Sequence, residues 1–179
     1  SQPTDLGSGG GASNTITGKR GGGAIRLTVG GTLTVNGEIS ADGANYDGTY
    51  SGAGSGGSIW ITAATVIGSG TIHANGRGYT PCSNGGGGGG RVAVYGDLST
   101  FTGANALQAR GAATTGPGCG TVYRAQIGQP AQLIFDNGGT ANQSVQSSPI
   151  VTPAGVNVII RNGAALSHAS GSVSGLVMQ

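Results

Sequence analysis

Short runs of alternating apolar and polar residues recur along the chain, each preceded by glycines. Gly22-Gly23-Ala24-Ile25-Arg26-Leu27, Gly56-Gly57-Ser58-Ile59-Trp60-Ile61 and Gly89-Gly90-Arg91-Val92-Ala93-Val94 align without gaps, and a shorter copy opens at Gly120-Thr121-Val122-Tyr123. Period-two alternation sends successive side chains to opposite faces of a strand. Ile25/Leu27, Ile59/Ile61 and Val92/Val94 then point inward, and the residues between them form an outward column of Arg26, Trp60, Ala93 and Tyr123.

Each copy carries a second element. Glu38-Ile39-Ser40-Ala41-Asp42-Gly43 aligns with Thr71-Ile72-His73-Ala74-Asn75-Gly76 and, after one inserted residue, with Leu107-Gln108-Ala109-Arg110-Gly111. Ile39/Ala41, Ile72/Ala74 and Leu107/Ala109 are the inward pairs. The outward columns are Glu38, Thr71 and Ala106; Ser40, His73 and Gln108; Asp42, Asn75 and Arg110. In the first copy the pattern predicts strands over 24–29 and 32–41, broken at Gly30-Gly31.

From Ile25 to Ile59 is 34 residues, from Ile59 to Val92 is 33 and from Val92 to Val122 is 30. Repeats of this length predict units that bury their apolar faces against one another. The expected fold is all-β: a β-solenoid, parallel β-helix-like, with glycine-rich, polyproline-II-like loops. Residues 1–128 form the region with a repeat of about 34 residues. In 129–179 the texture changes, since Leu133-Ile134-Phe135-Asp136-Asn137-Gly138 aligns with Val158-Ile159-Ile160-Arg161-Asn162-Gly163 at a period of 25. An apolar triplet, a polar residue and Asn-Gly describe a strand ending in a tight turn with positive φ, and narrower solenoid turns are expected there.

Composition changes the picture in one respect. With 40 glycines in 179 residues and 8% charged residues, disorder would be the default, but apolar residues recurring in register offset the ordering entropy. The segments 51–57 and 85–90 are expected to run side by side and bond laterally, their backbones approaching as only glycine permits. Valine at Gly87 or Gly88 is then expected to destabilise the fold. A net charge of +2 with scattered basic residues leaves no electrostatic footprint for nucleic acid, and no apolar run is long enough for a membrane-spanning helix. Ser1 opens without a basic region and apolar core, so any signal peptide is expected to have been removed or to lie outside these residues.

Candidate chemistry lies in the outward columns. Glu38 and Asp42 near His73 and Arg110 could act as a polysaccharide lyase or hydrolase constellation. Alternatively Glu38, Asp42, His73, Asn75, Gln108 and Arg110, with Trp60, Tyr79 and Tyr95, could hold sugar rings by hydrogen bonding and stacking. The third reading is a solvated sheet face. Asp42, Asn45 and Asp47 before Gly48 are calcium candidates, although their spacing departs from the calcium-loop pattern. Gly85–Gly90 leads into a strand and not into Lys-Ser/Thr and a helix, which excludes a phosphate-binding loop. His168 is read as a surface residue, and Asn142-Gln143-Ser144 is a formal glycosylation sequon. No cofactor is expected.

Cys82 and Cys119 are the two cysteines, and each lies in the loop after the Ala-x-Gly element of successive units. Stacking of units predicts a Cys82–Cys119 disulfide, with reduced thiols or a shared metal as the alternatives.

The succession GGSIWITAATVIGSGTIHANG, GGGGGGRVAVYGDLSTFTGANALQARG, GCGTVYRAQIGQPAQLIFDNGG resembles the glycine-rich repeat region of very large secreted bacterial surface proteins, adhesin-like and often β-helical. The resemblance covers about residues 21–139. It implies an extracellular or cell-surface structural role as a module or subunit of a stalk, adhesin or filament, and transfers no active-site residue. Expected partners are further copies, head to tail, or neighbouring modules of a longer chain, and glycans. A carbohydrate-binding module is the alternative function, and a β-helical polysaccharide-active enzyme the third.

Overall fold

The computed structural model describes residues 2–12, 16–45, 51–78, 85–103, 106–113, 117–139, 143–146, 155–167 and 176–178. The alternating runs form strands: β1 (Ala24–Thr34), β2 (Glu38–Ser40), β3 (Ser58–Ile67), β4 (Thr71–His73), β5 (Arg91–Asp97), β6 (Leu107–Gln108), β7 (Thr121–Ala125), β8 (Ala131–Asp136), β9 (Gln143–Gln146), β10 (Val156–Arg161), β11 (Ala164–Ser167) and β12 (Leu176–Met178). The long strands β1, β3, β5 and β7 lie side by side in parallel, with Arg26 opposite Trp60, Trp60 opposite Ala93 and Ala93 opposite Tyr123. The alternation predicted this column. The short strands form a separate three-stranded parallel sheet in the order β2-β4-β6, with Ser40 opposite His73 and His73 opposite Gln108.

The inward residues of both sheets meet in one core. Ile59, Ile61, Val92 and Val94 from the long strands join Ala41, Ile72, Ala74 and Ala109 from the short-strand series. Ile59, Ile61, Ile72 and Val94 are wholly excluded from water, each such side chain contributing about 1.5–3 kcal/mol by burial. In the first unit Gly30-Gly31 does not break the strand. β1 runs through it with a shift of register between Val29 and Thr32, as a bulge does, and the expected strand over 32–41 is divided by a bend around Gly37.

The expected β-solenoid is corrected. The fold is all-β, but its strands belong to open sheets, one of seven strands in the order β1-β3-β5-β7-β8-β10-β12, one of three and one of two. The long sheet is mixed, because β7 and β8 pair antiparallel. The chain reverses after Ala125 through a turn closed by Gln129 N–H donating to Gln126 O at 3.2 Å, with Gly128 at φ 77°. A tight reversal replaces the crossover that continued coiling requires. Beyond it parallel pairing resumes, with Asp136 opposite Arg161. The two turns that the Asn-Gly pattern marked have positive φ at Gly138 and Gly139 and at Asn162 and Gly163.

The glycine segments bond laterally to one another. Gly7 N–H donates to Gly22 O at 2.9 Å, Gly22 N–H to Ser55 O at 2.8 Å, Gly56 N–H to Gly88 O at 2.9 Å and Gly89 N–H to Gly118 O at 3.0 Å. The three later segments also bond the chain leaving a short strand: Gly57 N–H donates to Ala41 O, Gly90 N–H to Ala74 O and Gly120 N–H to Ala109 O. Backbone groups that loops would leave to water are therefore paired. A Cβ on Gly87 would collide with the carbonyl of Gly54, whereas one on Gly88 would meet only Gly118 O at 3.6 Å. The close approach expected of these segments is met at Gly87, where no side-chain carbon fits, while at Gly88 a first side-chain carbon finds ordinary contact distance.

Candidate functional site

The outward columns of the short strands converge because parallel register stacks residues from successive units. Past the strand ends the ladder continues, with Ala41 N–H donating to His73 O and Gly43 N–H to Asn75 O. This continuation brings Asp42 beside His73 and Asn75. His73 Nδ1 lies 2.8 Å from Asp42 Oδ1 and its Nε2 lies 3.0 Å from Glu38 Oε1. Asp42 Oδ1 also accepts from the Asn75 N–H at 2.6 Å, and its Oδ2 accepts from Arg77. Asn75 extends the network, its Nδ2 donating to Gln108 Oε1 at 3.2 Å and its Oδ1 accepting from the Arg110 N–H at 2.8 Å.

Glu38, Asp42, His73, Asn75 and Gln108 are thus brought together as the columns predicted, with their polar atoms facing one another, and Arg110 joins them through its backbone N–H alone. His73 is 8% exposed. The hydrogen bond to Asp42 raises its pKa above the ordinary imidazole value; burial opposes this, the charges of Asp42 and Glu38 support it and that of Arg77 opposes it. The imidazolium donates at both nitrogens. While protonated and engaged by carboxylates at both nitrogens, the ring has no free lone pair to act as a base.

Arg110 leads to a second cluster. Its Nε lies 4.0 Å from Asp136 Oδ1, and Arg161 Nε donates to Asp136 Oδ2 at 2.9 Å. Asp136 also accepts from the Gly138 N–H at 2.8 Å and from Asn162 Nδ2 at 3.1 Å. Burial pushes its pKa up, but these bonds and the two guanidiniums outweigh that and hold it below the usual carboxylate value. Sequence reasoning missed this cluster, although Asp136 and Arg161 occupy equivalent positions of the 25-residue repeat with opposite charge. It also missed Arg77.

Trp60 does not join the patch. It lies on β3 in the long sheet, outward from Ile59 and Ile61, so the core separates it from His73 on β4. It is 8% exposed, and the Arg26 guanidinium stacks over its ring at 4.2 Å. Tyr95 packs against Tyr123 with ring centroids 5.5 Å apart; Tyr79, Asn142 and His168 lie outside the described residues. Of the calcium candidates, Asp42 is occupied as above, Asn45 is exposed and Asp47 lies outside the described residues. Among the described residues no group of three or more His, Cys, Asp and Glu side chains could hold a metal ion.

The expected disulfide is not supported. Cys119 is a buried free thiol, its pKa pushed up to about 11 by burial and by the negative charge of Asp136. Cys82 lies outside the described residues. No protein-family model, curated protein or solved structure matches the chain.

Proposed function

We propose that the chain is an extracellular structural protein, a module or subunit of a cell-surface stalk, adhesin or filament, with neighbouring modules or further copies of itself as partners. The observation that carries this reading is the lateral bonding of glycine segments 7–11, 19–22, 51–57, 85–90 and 117–120. Tension on one segment is shared by its neighbours through backbone hydrogen bonds, and parallel ladders share it between the long strands. The candidate polar patch supports the same reading, since its buried pair, Asp42 and His73, joins successive units. Secretion belongs to the proposal and rests on the resemblance to glycine-rich surface proteins; without a Cys82–Cys119 bridge it has no support from cysteine chemistry.

The test is single-molecule extension of the full 179-residue chain between two marker domains, paired with a glycan array probing the Glu38–Arg110 patch. A discrete unfolding event at a force comparable to the markers is expected, with array signals unchanged by Asn75→Ala. Smooth extension at low force would overturn the load-bearing role, and array signals lost in Asn75→Ala would favour the carbohydrate-binding alternative.

A further inference from the structure

The inner face of the long sheet changes character where the short sheet ends. Leu27, Ile61 and Val94 occupy one register position on β1, β3 and β5, and the same position on β7 is Arg124. Across the antiparallel pair Arg124 faces Gln132, and Gln132 faces Asn157 on β10. A column that is aliphatic under the short sheet therefore continues as guanidinium, amide and amide beyond it. These three residues, with Gln126, Gln129 and Pro130 of the reversing turn, line a depression of 530 Å³, a size within the range of ligand sites. Arg124 also borders a smaller cavity of 180 Å³, lined by Leu98, Phe101, Leu107, Ile134 and a second guanidinium, that of Arg161.

Arg124 is the cation of this depression, and among the described residues no ion pair joins it to a carboxylate. The other charged groups nearby are engaged. Asp97 accepts from Gln126 Nε2 at 3.0 Å and from the Ser99 N–H at 2.9 Å, and Asp136 is held by Arg161 at 2.9 Å. A guanidinium presents a fork of donors matched to a carboxylate. The surrounding amides both donate and accept, as hydroxyl groups do. Strands β7, β8 and β10 are each paired on both sides within the sheet, so no backbone edge is offered for a peptide to extend; recognition falls to side chains.

We propose that this depression binds an acidic oligosaccharide, with a uronate carboxylate on Arg124 and sugar hydroxyls on Gln129, Gln132 and Asn157. The site stands apart from the Glu38–Arg110 patch, and its test is independent of the load-bearing role. Calorimetric titration of the full chain with trigalacturonate at low salt is expected to give saturable binding, with the neutral galactose trimer at least about tenfold weaker. Arg124→Gln should weaken trigalacturonate binding at least about tenfold, and Arg124→Lys, which keeps the charge and loses the fork, should also weaken it. Because Arg124 replaces an aliphatic side chain in the column, Arg124→Leu should melt at or above the parent temperature. Equal binding of acidic and neutral trimers, absence of binding, unchanged affinity in Arg124→Gln, or tighter binding of a triglutamate peptide would each overturn the proposal. So would a fall of more than about 5 °C for Arg124→Leu, which would make the guanidinium a structural group.

Discussion

His73 Nδ1 and Asp42 Oδ1, 31 residues apart in sequence, stand 2.8 Å apart in the fold. The contact joins the second elements of the first two units, and Glu38 Oε1 closes on the other ring nitrogen at 3.0 Å. The folded-state pKa of His73 is raised from 6.5, first by the bond to Asp42. A group raised in the folded state contributes its stability fully below the unfolded pKa and loses it as pH rises through the folded value. The melting temperature is therefore expected to be highest on the acidic side of 6.5 as far as this group is concerned, and to fall as pH climbs above it. His73→Gln should remove that slope in thermal melts across the same buffers; a parent and a variant with the same slope would show that the imidazolium is not the cause.

Asp42 and Arg77 form a pair of unequal importance. The Asp42 side chain is 7% exposed and Arg77 is 47% exposed. Asp42→Ala leaves His73 Nδ1 and the Asn75 N–H without their acceptor, and is expected to cost about 3 kcal/mol, as removal of one member of a buried pair does. Arg77→Ala is expected to cost less than about 1 kcal/mol, since its guanidinium reaches water. Chemical denaturation of the two variants measures both, and equal losses would contradict the assigned order.

Gly87 and Gly88 are adjacent and expected to behave differently. A side chain at Gly87 meets the Gly54 carbonyl, while at Gly88 the nearest atom is 3.6 Å away. Gly87→Ala must push neighbouring backbone segments away from each other and is expected to destabilise by about 3 kcal/mol. Gly88→Ala should stay within about 0.5 kcal/mol of the parent. Equilibrium unfolding of the two variants decides it; if both behave like the parent, the glycine segments are not closely packed.

Cys119 should resist alkylation in the folded protein. The thiolate is the reactive form, and burial with the nearby charge of Asp136 lifts the thiol to about 11. Mass measurement after iodoacetamide at about pH 8 is expected to show Cys119 unlabelled under native conditions and labelled once the protein is denatured without reductant. A denatured, unreduced chain that takes no label at Cys119 would restore the disulfide.

The faces of the strands were legible because they depend on local geometry alone. Alternation at Ile59-Trp60-Ile61 and Thr71-Ile72-His73 assigns each side chain to a face wherever the strand lies, and equal spacing between copies aligns the columns Arg26–Trp60–Ala93–Tyr123 and Ser40–His73–Gln108. Glycine at Gly87 was legible as a place of close approach for the same reason, since a missing side chain states what the backbone needs.

Other features were decided only by the tertiary structure. Trp60 and His73 both read as outward residues, yet they belong to different sheets with the core between them. The column containing His73 read as a solvated or ligand-holding face, but Asp42 and Glu38 close on the ring from both sides, an outcome fixed by where the chain turns after each short strand. The repeat predicted continued coiling, and the reversal at Gly128 made the sheet mixed and left Arg124 at a core position without the short sheet above it. Period and alternation fix which residues share a face; which faces are covered depends on turns and on the ends of sheets, where one residue's backbone angle redirects everything that follows.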